Sequence, residues 1–233
     1  MSNEDDSSIN FEDYEILPED FSQPDLNFKV IVIGNSGVGK SSITKKATKN
    51  IFKESYNATI GFEFLSFILK IKNTIIRLQI WDTCGQEVYR SLISSFYRNS
   101  SLALMVYSVD NENSFSNLET WLNEIKTKSN PDVKIFLIGN KTDLEDKRVI
   151  QFEQGENFSK EQNLNYFIET SAKTGFNAKN VFIYAAKLLY LEHLKYKDRS
   201  SRPGSLADVL PVQPINQKLD NDNANIRQKK CCL

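Results

Sequence analysis

A short glycine-rich segment, Gly34 to Ser41, constrains this chain more than any other feature of its sequence. It reads Gly-Asn-Ser-Gly-Val-Gly-Lys-Ser, which fits the pattern of a phosphate-binding loop between an apolar run and a helix-like segment. Backbone N–H groups of such a loop can turn inward around phosphate oxygens, and the following helix adds its positive dipole end. The pattern therefore predicts a phosphate site. The alternative is a glycine-rich turn from strand to helix that holds no ligand.

The residue types in this loop also predict a nucleotide with Mg²⁺. We expect Lys40 to reach the β- and γ-phosphates and the Ser41 hydroxyl to bind Mg²⁺, which takes few protein oxygens. The predicted phosphate-binding set is Gly34, Asn35, Ser36, Gly37, Val38, Gly39, Lys40, Ser41 and Ser42.

Two later segments predict which base is bound, because each follows an apolar strand-like run. The carboxylate of Asp143 only accepts hydrogen bonds, so it suits the two donors of guanine, and the Ala172 N–H could donate to guanine O6. Their order behind a phosphate loop favours GTP and GDP over ATP. The predicted guanine-binding set is Asn140, Lys141, Asp143, Ser171, Ala172 and Lys173.

The hydrophobic pattern alternates between strand and helix and predicts an α/β fold. Only three residues separate the second and third strands, which is too short for a parallel crossover, so this pair should be an antiparallel hairpin. We therefore expect a six-stranded, mostly parallel sheet with one antiparallel edge strand and helices on both faces. Strands are predicted near 28–34, 62–71, 75–82, 102–109, 133–139 and 165–169, and helices near 40–51, 88–97, 114–128, 151–162 and 178–195.

Composition excludes several classes of protein. The 233 residues carry a net charge of −1, which argues against a nucleic-acid partner. No apolar run approaches the ~18 residues that span a bilayer, and the acidic N-terminus is unlike a secretory signal. We expect a cytosolic or membrane-anchored chain.

Both ends of the chain differ in composition from the middle. Residues 1–26 hold nine Asp or Glu and no Lys or Arg, which indicates either a disordered acidic arm or a docking segment. Residues 197–233 are interrupted by Pro and Gly and are predicted to be a flexible tail. Residues 27–196 remain as one folded domain.

In the folded part the chain resembles the Ras superfamily of small GTPases and, within it, the Rab family. The segments that carry this resemblance, besides the loop and the base-reading segments, are Ile60 to Phe64, Arg77 to Thr83, Tyr89 to Leu92 and Phe96 to Arg98. The resemblance implies the small GTPase fold and a GTP/GDP switch that hydrolyses GTP and recruits effectors to membranes in vesicle traffic.

The resemblance also assigns the residues that sense the γ-phosphate. It implies that Thr59 binds Mg²⁺ and the γ-phosphate, that Phe52 lies against guanine, and that Tyr56 lies near the phosphates. Loss of the γ-phosphate would then release this loop.

A second group of implied residues follows the third strand. Asp82 would hold Mg²⁺ through water, the Gly85 N–H would meet the γ-phosphate, and Gln86 would orient the attacking water as the catalytic residue. Cys84 departs from the family, which usually has Ala at this position. Hydrolysis should be slow without a partner, because no arginine finger is evident in the chain.

Strand alternation leaves large aromatic side chains on a face away from the predicted core, which suggests a recognition patch. In Rab proteins the positions matching Phe64, Trp81 and Phe96 form a triad that effectors contact. The family usually has Tyr where this chain has Phe96.

The carboxyl end, Lys229-Lys230-Cys231-Cys232-Leu233, lacks a C-a-a-X box. It resembles the double-cysteine terminus of Rab proteins, so Cys231 and Cys232 are the expected geranylgeranylation sites; the alternative is a pair of unmodified thiols. The implied partners are an exchange factor, a GTPase-activating protein, effectors, an escort protein and a GDP-dissociation inhibitor. The implied location is the cytoplasmic face of an intracellular or plasma membrane, with cycling through the cytosol.

Two other functions stay open at this stage. Cys84 lies beside the glycine that should move toward the γ-phosphate, so the chain could be a persistently GTP-bound scaffold that hydrolyses poorly. A nucleoside or metabolic kinase is disfavoured by the guanine-selecting segments.

Overall fold

The computed structural model of this protein describes residues 14–54, 61–83 and 96–200. The residues discussed above that lie outside these ranges include Tyr56, Thr59, Ile60, Cys84, Gly85, Gln86, the segment from Tyr89 to Leu92, Cys231 and Cys232. Most of the helix predicted for 88–97 also lies outside them.

The described strands are β1 (Tyr14–Leu17), β2 (Leu26–Ile33), β3 (Phe62–Ile71), β4 (Thr74–Thr83), β5 (Leu102–Ser108), β6 (Lys134–Asn140) and β7 (Tyr166–Thr170). They form one sheet in the order β1-β3-β4-β2-β5-β6-β7. The strands from β4 through β2 to β7 pair in parallel, and β3 pairs with β4 as the predicted antiparallel hairpin. The carboxyl ends of the parallel strands therefore meet along one edge of the sheet, where the site residues follow them.

The predicted count of six strands is wrong, because β1 adds a seventh at the edge of the sheet. Tyr14 to Leu17 pair antiparallel with Ile71 to Ile68, so part of the predicted acidic arm is a strand of the sheet. Two acidic side chains fix the segment that follows: Glu19 accepts from the Ser66 N–H at 3.4 Å, and Asp25 accepts from the Ile75 N–H at 2.7 Å. A four-residue strand held by such distant contacts leaves no periodic signal in the sequence.

The described helices are α1 (Lys40–Lys49), α2 (Glu112–Ser116), α3 (Leu118–Lys128), α4 (Phe152–Glu161) and α5 (Ala178–Ser200), with a 3₁₀ turn at Glu145–Lys147. The single helix predicted for 114–128 is two helices that meet at Asn117. The apolar spacing of Phe115, Leu118 and Leu122 continues across this junction, so periodicity could not detect it.

The last helix is also longer than expected. It continues to Ser200, so residues 197–200 belong to α5 and not to the predicted tail. The first helix breakers after α5 begins are Pro203 and Gly204, which explains why the four residues continue the helix.

Two hydrophobic layers cover the two faces of the sheet, as predicted. Val30 and Val32 of β2 lie in a layer with α1 and α5, whereas Ile31 and Ile33 lie in the layer with α3. Apolar side chains of the helices are buried in these layers; they include Leu118, Leu122, Ile125, Val181 and Ala185. Among the described helices, none is long and apolar enough to cross a membrane.

Candidate functional site

The glycine-rich loop connects the end of β2 to the start of α1. Gly34 has φ 137° and Gly39 has φ 96°, a region that side chains rarely adopt. A Cβ atom at Gly34 would lie 2.1 Å from the Val106 carbonyl oxygen, and one at Gly39 would lie 2.2 Å from the Asn140 side-chain nitrogen. Packing as well as backbone conformation therefore requires glycine at both positions.

Lys40 begins α1, and its ammonium group folds back over the start of the loop. Its Nζ donates to the carbonyl oxygens of Gly34 at 2.9 Å and Asn35 at 2.8 Å. The side chain is only 5% exposed, so the charge is held in place rather than solvated. A fixed cation beside backbone N–H groups is the arrangement that polyphosphate requires.

Asp82, near the end of β4, carries a buried carboxylate. Within the described residues neither of its oxygens accepts a hydrogen bond of good geometry. Burial raises the pKa of Asp82 to about 6, although the nearby Ser41 hydroxyl and the Lys40 charge act in the opposite direction. An orphaned carboxylate beside a hydroxyl is a donor set that suits a hard divalent cation such as Mg²⁺.

Asn140, the last residue of β6, joins the phosphate loop to both base-reading segments. Its side-chain nitrogen donates to the Val38 carbonyl oxygen at 2.8 Å. Its side-chain oxygen accepts from Thr170 Oγ1 at 3.2 Å and from the Ala172 N–H at 3.3 Å. Three segments that are far apart in the sequence thus meet at one buried amide.

The residues expected to contact the base lie together at the carboxyl ends of β6 and β7. The Ser171 hydroxyl donates to Asp143 Oδ1 at 2.5 Å, and this orients the exposed carboxylate. The Ala172 N–H, expected to donate to guanine O6, donates here to Asn140.

Two lysines of the predicted base-binding set make ion pairs at the rim of the site. Lys141 Nζ lies 3.4 Å from Asp110, and Lys173 Nζ lies 3.3 Å from Glu54, just after α1. Burial opposes ionisation of Asp110, but the Ser108 hydroxyl and Lys141 outweigh it and lower the pKa of this carboxyl. Phe52, expected against the base, is half-buried against the hydrophobic layer below α1 and α5.

The three predicted patch residues are in contact, and a fourth ring joins them. The Trp81 ring centroid lies 5.4 Å from that of Phe64 and 5.3 Å from that of Phe96. Phe62 lies 5.3 Å from Trp81 and 4.8 Å from Phe96. Because Phe62 is 49% and Phe64 47% exposed, these rings form an open apolar surface, which we call the aromatic patch. Phe62 was not among the predicted patch residues.

Two further contacts of the site were not predicted. The Trp121 indole of α3 donates to the Asn35 side chain in the loop, and Asp110 pairs with Lys141. Neither residue lies in a recognisable motif, so no sequence signal was available beyond the polar atoms they carry. The predicted residues Tyr56, Thr59, Gly85 and Gln86 lie outside the described ranges, so their positions relative to the loop stay predictions.

Two comparisons with known proteins found similar sequences. The Ras family model matches residues 29–191, which is most of the chain. The Ras-related protein RABA1c of Arabidopsis thaliana is 38% identical over 208 residues, an alignment that covers 89% of this chain and 94% of that protein.

Proposed function

The chain belongs to the Ras family as a Rab-type small GTPase, an enzyme that hydrolyses GTP, and on this premise we propose that it is a GTP/GDP switch that recruits effectors to a membrane in vesicle traffic. The observation that carries the proposal is the Asn140 amide, which connects the phosphate loop to the two segments that would read guanine. A turn without a ligand would not need these three segments to be held together.

We assign nucleotide binding to the loop and the two base-reading segments. The loop N–H groups and Lys40 would hold the phosphates, and Asp143 would accept from the two donors of guanine. The oriented, exposed carboxylate of Asp143 supports this assignment. It would reject adenine because the corresponding edge of that base presents an acceptor.

The residues present fit Mg²⁺, and Ser41 and Asp82 would hold it with Thr59. The cation would supply positive charge that neutralises the transferring phosphoryl group. The buried, unsatisfied oxygens of Asp82 support this role. Gly85 would donate to the γ-phosphate, and Gln86 would position water for attack.

We propose that the aromatic patch is the effector surface. Its affinity for an effector would depend on which nucleotide is bound. Four adjoining rings with two exposed phenylalanines support this role. Exchange factors, GTPase-activating proteins, a GDP-dissociation inhibitor and an escort protein are the further partners that the Rab family implies.

The carboxyl end supplies the proposed anchor. Geranylgeranyl groups on Cys231 and Cys232 would give stable attachment, since one lipid is marginal and two are not. We therefore propose a domain near 27–196, extended by the N-terminal strand, and a tail that reaches the cytoplasmic face of a membrane. Cycling through the cytosol follows if a partner covers the lipids.

A persistently GTP-bound scaffold was the alternative, and it depends on Cys84, which lies outside the described residues. Neither the family match nor the relative supports it.

Single-turnover hydrolysis tests the proposed function. The purified full chain with Mg²⁺ should convert GTP slowly to GDP and leave ATP intact, and Gln86→Leu should keep GTP bound while slowing its hydrolysis. Gln162→Leu, a matched change just after α4, should hydrolyse GTP like the natural chain. An unchanged rate in Gln86→Leu would remove Gln86 from catalysis, and no hydrolysis by the natural chain would favour the scaffold.

A further inference from the structure

A hydrogen bond between residues 86 positions apart in the sequence joins helix α3 to the phosphate loop. Trp121 Nε1 donates to the side-chain oxygen of Asn35 at 2.7 Å. The indole is only 2% exposed and packs in the same hydrophobic layer as Ile33, the residue before the loop. The rest of the ring is therefore fixed by packing, and its N–H has a defined direction.

Asn35 is held from two sides. Its carbonyl oxygen accepts from Lys40 Nζ at 2.8 Å, while its side-chain oxygen accepts from Trp121. Movement of Asn35 would therefore disturb Lys40, the cation proposed to hold the phosphates. The helix, through one indole, restrains the residue that helps to hold Lys40.

The other tryptophan shows that a buried indole in this protein does not always have a hydrogen-bond acceptor. The chain has two tryptophans, and within the described residues the buried Nε1 of Trp81 has no hydrogen-bond partner. A buried indole N–H without a partner is costly, so the pairing of Trp121 with a loop side chain is a specific stabilising contact.

We propose that Trp121 is a positioning residue for the phosphate loop: by fixing Asn35 it holds Lys40 in place and slows nucleotide release. This inference rests on the proposed function, since it requires guanine nucleotide in the loop. Trp121 lies on helix α3, whereas most of the other described residues of the nucleotide site lie at or just after the ends of strands. Trp121 acts through its hydrogen bond to Asn35.

Release of a fluorescent GDP analogue, measured with Mg²⁺ present, tests the proposal. Trp121→Phe keeps an aromatic ring but removes the donor, and Asn35→Ala removes the acceptor from a half-exposed loop position that should not affect folding. Each variant should release the analogue about tenfold faster, as expected for loss of one partner of a buried polar pair. The double variant should be no faster than either single variant, because both remove the same bond.

Tyr97→Phe is the matched control. The Tyr97 hydroxyl donates to Glu124 at 3.2 Å, on helix α3 one turn beyond Trp121. This variant loses a comparable bond to α3 and should release the analogue within about twofold of the natural rate.

An emission measurement gives a second readout. In a Trp81→Phe chain the only tryptophan is Trp121, and adding Asn35→Ala should shift its emission because the indole loses its acceptor.

Four results would overturn the proposal: release from Trp121→Phe within twofold of the natural rate, single effects that multiply in the double variant, Tyr97→Phe as fast as Trp121→Phe, or unchanged emission. Failure of the natural chain to bind the analogue would instead contradict the proposed function.

Discussion

The Asn140 side-chain nitrogen donates a 2.8 Å hydrogen bond to the carbonyl oxygen of Val38, across 102 positions of sequence. Both groups are buried, so the bond fixes the phosphate loop against the carboxyl end of β6. The amide oxygen of Asn140 accepts from Thr170 and Ala172 and thereby adds the end of β7 to the same unit.

Asn140→Asp separates these two functions of the amide. The carboxylate can still accept from Thr170 and Ala172, but it places an acceptor against the Val38 carbonyl oxygen. We expect the protein to become less stable and GTP binding to become weaker, each by about 1 to 3 kcal/mol. Urea denaturation and equilibrium binding measure both. Asn130→Asp, on an exposed loop, should change neither stability nor GTP affinity. If it lowered them as much as Asn140→Asp does, the added negative charge would explain the loss, and the Val38 hydrogen bond would not.

Arg148 and Glu169 form a nearly buried two-bond ion pair just before the second base-reading segment. Their bonds are 2.8 and 3.0 Å long, and the side chains are 9% and 10% exposed. Arg148→Met should lower the free energy of unfolding by about 3 kcal/mol, because it leaves the buried Glu169 carboxylate uncompensated. Glu169→Gln should lower it by less, because Arg148 keeps its ion pair with Glu145 at 2.9 Å. The double variant should lose less than the sum. Additive losses in denaturation experiments would mean that the pair is not coupled.

The N-terminal segment covers a part of the sheet that belongs to neither hydrophobic layer. Ile68 is 1% exposed but belongs to neither layer; it pairs with Leu17 in β1 and with Arg77 in β4. The Arg77 guanidinium donates to the Phe21 carbonyl oxygen, so the chain crosses this face before it enters β2.

Deletion of residues 1–25 should therefore destabilise the domain. Exposure of Ile68 alone should cost about 1.5 to 3 kcal/mol. Deletion of residues 1–13 is the matched control, because it leaves β1 intact and should change the free energy of unfolding by less than about 0.5 kcal/mol. Equal stabilities of the two shortened chains would contradict a stabilising role for β1.

Much of the fold, and the choice of candidate site residues, followed from local sequence features. The phosphate loop, the antiparallel β3–β4 hairpin and the exposed face of Phe64 and Trp81 could be predicted because each depends on spacing or alternation along a few residues. Glycine positions and the ends of apolar runs can be located in the sequence without knowledge of tertiary contacts.

What could not be predicted depends on contacts between distant segments. Strand β1 exists because β3 offers a free edge, and Tyr14 to Leu17 are too few to show a period. Trp121 fits an apolar helix face equally well with or without a bond to Asn35, because periodicity records burial and not the direction of an N–H group.

The proposed anchor predicts a change in location without a change in nucleotide binding. Changing both Cys231 and Cys232 to Ser should move the chain to the soluble fraction, and changing one should give partial, reversible association. Cys84→Ser, at the third cysteine, is the matched control and should stay membrane-bound. Fractionation and intact mass from a eukaryotic host test this; an unmodified carboxyl end on membrane-bound protein would rule the anchor out.

The affinity of Asp143→Asn for GTP and for xanthosine triphosphate tests the central claim most directly. The amide offers a donor where guanine also donates, so GTP binding should weaken by about 1.5 to 3 kcal/mol for each bond lost, and xanthosine triphosphate, with an oxygen at that position, should bind better. Asp146→Asn, an exposed acid in the same loop, should keep the natural preference. Equal GTP affinity in Asp143→Asn and the natural chain would contradict the assignment of this site to guanine.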